Sequence, residues 1–109
     1  MTELVVVSRF RVAEPDVPGF REDAHVALAA LADRPGYVAG RVGRNVDEPE
    51  LWLLTTTWEN IGSYRRALSS YDVKVSAVPL LSRAVDEPSA YETTEPGGVE
   101  NEQRPRNLE

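Results

Sequence analysis

From Leu4 to Val12 the side chains alternate: Leu4, Val6, Ser8, Phe10 and Val12 fall on one face of an extended segment, and Val5, Val7, Arg9 and Arg11 on the other. A two-residue period of this kind predicts a β-strand. The second face is apolar over its first half, which fits a strand covered on both sides. After the turn-forming Glu14-Pro15-Asp16 the period lengthens to 3.6, with Phe20, Ala24, Ala27, Leu28 and Leu31 on one stripe. That stripe predicts a helix from about Pro18 to Arg34, stopped by Pro35-Gly36. Tyr37 to Val46 and Leu51 to Trp58 then read as hairpin strands around a turn at Asp47 to Glu50. In the later strand Trp52, Leu54, Thr56 and Trp58 share one face. Asn60 is placed to cap a second helix carrying Ile61, Tyr64, Leu68, Tyr71 and Val75 at spacings of three or four, with Ser69-Ser70 as a point of fraying or breakage. Beyond Pro79, Leu80 to Asp86 alternates again and is expected to form a fourth strand.

The order β-α-β-β-α-β predicts an α+β fold of the ferredoxin-like class, with both helices on one face of an antiparallel sheet. The other sheet face is left to be covered, and a homodimer would cover it. A chain of 109 residues suits a single domain, expected over residues 1–90. Residues 91–109 turn to Glu, Pro, Gly, Thr and Asn, a composition with little to bury, and are expected to form a disordered acidic tail. Leu108-Glu109 fits either a native end or the scar of a tag-encoding vector.

Charge and composition narrow the chemistry. From Glu87 onward there are six glutamates and two arginines, whereas Met1 to Asp86 holds twelve acidic and ten basic residues. The folded part is therefore near balance, and no basic stripe offers itself to nucleic acid. Without cysteine, thiolate metal ligands, disulfides and a cysteine nucleophile are excluded, and a single histidine makes no cluster. No metal site or cofactor is expected. There is no apolar run long enough to span a bilayer and no secretory start, so the expected address is the cytoplasm. His25 falls off the apolar stripe of the first helix, on the side of Arg21, and is expected to face solvent. Gly36, Gly40 and Gly43 sit in a hairpin rather than between a strand and a helix, so they form no dinucleotide fingerprint.

Several segments resemble the antibiotic biosynthesis monooxygenase family of dimeric α+β barrel proteins. They are the β-rich start followed by Phe20 and its helix, the junction Pro35-Gly36-Tyr37-Val38, and Thr57-Trp58-Glu59-Asn60 leading into a helix with Tyr64. Ser63 to Tyr71 and Val78 to Arg83 add similarity to actinobacterial members. The resemblance spans about Leu4 to Val85 and implies a dimer with sheets face to face.

It also implies a site. In a family member that oxidises aromatic polyketides without metal or flavin, a Trp and a Tyr at the spacing of Trp58 and Tyr64 line the pocket. An Asn of that enzyme corresponds to Leu54 here. By this resemblance Trp58 and Tyr64 are the candidate catalytic residues, with Trp52, Leu54, Phe10 and Ser8 as candidate substrate-binding residues. The haem-degrading branch carries a Trp and a haem-ligating His where this chain has residues near Ala67 and Ser76, so haem breakdown is not expected. Two functions follow: a cofactor-independent monooxygenase of a hydrophobic aromatic or quinol-like molecule, or a non-catalytic ligand-binding or interaction domain of the same fold. In the second, Trp58 and Tyr64 simply fill the core.

Overall fold

A computed structural model describes residues 2–98. Strand β1 (Leu4–Arg11) leads through a 3-10 turn at Glu14–Asp16 into helix α1 (Val17–Ala32). Strands β2 (Tyr37–Arg44) and β3 (Leu51–Trp58) follow, then helices α2 (Ile61–Ser69), α3 (Tyr71–Ser76) and α4 (Val78–Leu81), and a short strand β4 (Ala90–Glu92). All pairings in the four-stranded sheet are antiparallel, in the order β2-β3-β1-β4. This is the ferredoxin-like α+β arrangement expected from the sequence.

The two-residue period of β1 and β3 sets the core. Val6 pairs with Thr56, Ser8 with Leu54 and Phe10 with Trp52, so the even-numbered side chains of both strands meet the helices. Leu4, Val6, Phe10, Leu54 and Trp58 are buried there against Phe20, Ala24, Ala27 and Leu31 of α1, the stripe that the helical period marks. Among the described residues the alternate face carries no helix. Val5, Val7, Leu53, Thr55 and Thr57 remain half-buried on it.

The turn between β2 and β3 is held by Asn45, whose Oδ1 accepts from the Asp47 and Glu48 N–H groups at 2.8 Å each. At the start of β2, Gly36 has φ +90° and faces Ser63 of α2 so closely that an added Cβ would lie 2.3 Å from the Ser63 Cβ. No larger residue fits there, so Pro35-Gly36 does more than end α1. It lets β2 pass under the helix that holds Tyr64.

Two expectations are corrected. The second apolar stripe is not continuous, because Ser70 adopts an extended backbone (φ −74°, ψ 151°) that ends α2 and caps α3. Ile61, Tyr71 and Val75 are consequently exposed, while Ser63, Ala67, Val73 and Ala77 take the buried positions. The expected strand at Leu80 to Asp86 is instead helix α4, turns and an irregular return to the sheet. Pro79 lies in the first turn of α4, where its missing N–H costs nothing. The pairing strand is Ala90–Glu92, and Thr93 N–H still donates to the Glu3 carbonyl. The remainder of the expected acidic tail, from residue 99, lies outside the described residues.

Candidate functional site

Asn60 starts α2 with its side-chain oxygen accepting from the Ser63 N–H at 2.9 Å. One turn in, Tyr64 leans over the end of β3, its ring centroid 5.6 Å from that of Trp58. Tyr37 meets the Trp58 ring edge-on from β2, at 5.5 Å and 87°. The Trp58 Nε1–H donates to Thr56 Oγ1 at 2.8 Å, which satisfies the polar atoms of a fully buried pair. Trp58 is thus fixed by three neighbours.

A cavity of about 350 Å³ opens between β1, α2 and the segment after α4. Val7 and Ser8 line it from the strand, Tyr64 from the helix, and Leu81, Ser82, Ala84, Val85, Asp86, Glu87 and Ser89 from the returning chain. Ser8 is only 6% exposed. Neither its hydroxyl nor that of Tyr64 has a hydrogen-bond partner among the described residues. Burial pushes the Tyr64 phenol above its ordinary value, so it stays protonated and can donate. The same cause raises Tyr37. At the outer rim Arg9 clamps Glu87 through two bonds of 2.7 Å. The hydrogen bond from Arg9 holds the Glu87 carboxyl below the usual carboxylate range.

The six candidate residues therefore separate. Ser8 and Tyr64 come together at the cavity. Trp58 backs Tyr64 without being part of the lining, and Leu54 and Phe10 belong to the core. Trp52 lies at the far end of β3, ring to ring with Phe20 at 5.6 Å, with the Arg21 and Arg44 guanidiniums 5.8 and 5.7 Å from its ring centre. Its buried Nε1 has no partner among the described residues. His25 is exposed, and Arg83 meets Asp23 at 3.6 Å on the surface. Sequence reasoning missed the cavity wall from Leu81 to Ser89. Pro79 is the available signal, since proline is favoured in the first turn of a helix and so argues against a strand beginning at Leu80. Among the described residues no group of three or more His, Cys, Asp or Glu is placed to hold a metal ion, and no helix is long and apolar enough to cross a membrane.

The sequence profile of the antibiotic biosynthesis monooxygenases matches residues 3–77. The chain belongs to that family. Family membership places it among the monooxygenases without specifying what is oxidised. No functionally curated protein matches the chain significantly. Solved structures do. SnoaB, a cofactor-independent oxygenase from Streptomyces nogalater, is similar over 88% of this chain and 97% of its own, with 23% identity and a TM-score of 0.73. A conserved protein from Methanosarcina mazei aligns over 84% of this chain and 92% of its own, at 22% identity and a TM-score of 0.69. A Deinococcus radiodurans protein provisionally named an antibiotic biosynthesis monooxygenase aligns over 90% and 99%, at 20% identity and a TM-score of 0.69. At these identities the likeness establishes the shared fold.

Proposed function

We propose that this family member is a cofactor-independent monooxygenase that oxidises a hydrophobic aromatic or quinol-like molecule beside Tyr64, working as a homodimer. The observation that carries the reading is the pair of hydroxyls, Ser8 and Tyr64, without a partner among the described residues, on one cavity of about 350 Å³. Ligand sites commonly combine apolar walls with a few placed polar groups at about this size. An anthrone-type substrate, whose enol form is a phenol, supplies its own electrons. Its methylene becomes a carbonyl, one atom of O₂ enters the product and the other leaves as water with the two methylene hydrogens. What the protein must do is hold the ring and stabilise the oxygen where charge collects when a methylene proton is lost. A protonated Tyr64 phenol donating to that oxygen does this, with Ser8 as a second donor. The likeness to SnoaB supports the absence of a cofactor from the scheme.

Oxygen uptake with anthrone in metal-free buffer tests it. Wild type should exceed spontaneous oxidation, and Tyr64→Phe should lower kcat by about 100-fold. No turnover across an anthrone and quinol panel, or full activity in Tyr64→Phe, would sink the proposal. One observation favours the non-catalytic reading: Trp52, Leu54 and Trp58 fill the space between sheet and helices. That reading expects ligand binding without oxygen uptake.

A further inference from the structure

At the mouth of the Tyr64 cavity the sheet edge is interrupted. Val7 N–H donates to the Ser89 carbonyl and Val85 N–H to the Arg9 carbonyl, each at 2.7 Å. Two steps along β1 are therefore matched by four along the returning chain, and Asp86, Glu87 and Pro88 loop out between the two contacts. This bulge brings two acidic residues to the cavity lining, Glu87 half-buried and Asp86 exposed at the mouth. Their circumstances differ. Glu87 is neutralised by Arg9, whereas Asp86 has no ion-pair or hydrogen-bond partner among the described residues. Nor, among the described residues, does any lysine or arginine line the cavity. Inside, Ser8 is a second group without a partner among the described residues, and it is more than nine-tenths buried.

A ligand that answers all of these groups needs an apolar ring against Val7 and Leu81, an oxygen that can meet the hydroxyls of Ser8 and Tyr64, and a positive charge toward solvent. We propose that this cavity selects aromatic ligands that carry a protonated amine, with Asp86 as its counter-ion. The inference rests on the cavity being the ligand site, and it names the chemical class that site prefers. A neutral ring gains only the apolar and hydroxyl contacts. An anionic ring meets an uncompensated carboxylate and is disfavoured.

Tyramine, p-cresol and 4-hydroxyphenylacetate share one phenol ring and differ in charge, so they isolate the effect. NMR titration should move the Ser8 and Tyr64 amide signals, with tyramine binding about tenfold more tightly than 4-hydroxyphenylacetate and p-cresol between them. Added salt should narrow the gap. Asp86→Asn should bring tyramine and p-cresol to equal affinity, and Asp86→Glu should keep the preference. Equal binding of all three probes to wild type, or a tyramine preference that persists in Asp86→Asn, overturns the inference. If p-cresol moves the Ser8 and Tyr64 amides with no charge preference, the ligand site stands and only its amine selectivity falls. If no probe moves either amide, both fall together.

Discussion

Tyr64 and Trp58 touch ring to ring, yet their polar atoms are used in opposite ways. The indole N–H of Trp58 is spent on Thr56 inside the core, and the phenol of Tyr64 has no hydrogen-bond partner among the described residues. Removing each therefore has a different signature. Trp58→Phe shortens a fully buried ring and strands the Thr56 hydroxyl, which should cost about 2 kcal/mol in urea denaturation. Tyr64→Phe removes a hydroxyl with no partner among the described residues and should change stability by less than about 0.5 kcal/mol while impairing turnover. An unstable Tyr64→Phe, or a Trp58→Phe as stable as wild type, would reverse the assignment of one residue to the site and the other to its support. The same contrast explains why the pair could be found in the sequence but not divided there. Spacing on a strand and a helix brings two rings together, but hydrogen-bond partners depend on the Thr56 rotamer and on a wall contributed by residues 81–89.

Among the elements, the return from α4 to β4 depends on a side-chain tether as well as on backbone pairing. Arg9 grips Glu87 across the bulge, and the carboxyl is held below its ordinary value. A carboxylate lowered in the folded state stabilises above its unfolded value, near pH 4.5, and that contribution disappears as pH falls through the folded value. Glu87→Gln should therefore lower the denaturation midpoint at neutral pH, by an amount that shrinks at acid pH as the native carboxyl takes up its proton. A deficit that is the same at both pH values would show that the pair adds nothing through charge. Local pattern suffices for β1, α1 and β3, whose burial follows a regular period, while β2, irregular in burial and shifted in register between Tyr37 and Ala39, is legible only through the turn that joins it to β3. The pattern fails after Ser70, where a backbone break rotates the buried side, and at Leu80 to Asp86. There the alternation of Leu81, Arg83 and Val85 imitates a strand although only Leu80 in that stretch is buried. The strand that does pair, Ala90–Glu92, is three residues long and leaves no periodic trace.

For the whole molecule the unresolved demand is the helix-free sheet face. Val5, Val7 and Leu53 lie on it with Thr55 and Thr57, all half-buried in the single chain, and Arg9, Arg11 and Arg41 border them. Two copies placed face to face would bury this surface on both, since a two-fold contact uses the same patch twice, and a stable pair needs about 800 Å² from each partner. The homodimer proposed above predicts a sedimenting species of twice 12.1 kDa at roughly 10 µM. Leu53→Glu sets a charge in the middle of the patch. Its side chain is already partly exposed in the monomer, so the variant should fold with an unchanged far-UV spectrum and sediment as a monomer. A wild type that sediments only at 12.1 kDa would end the dimer proposal. The outcome also reaches the site. Val7 belongs both to this face and to the cavity lining, so a second copy seated on the face would close one wall beside Tyr64. Leu53→Glu should accordingly weaken p-cresol binding although it leaves Ser8, Tyr64 and Asp86 untouched. If it produces monomers that bind p-cresol as wild type does, the site is complete within one chain.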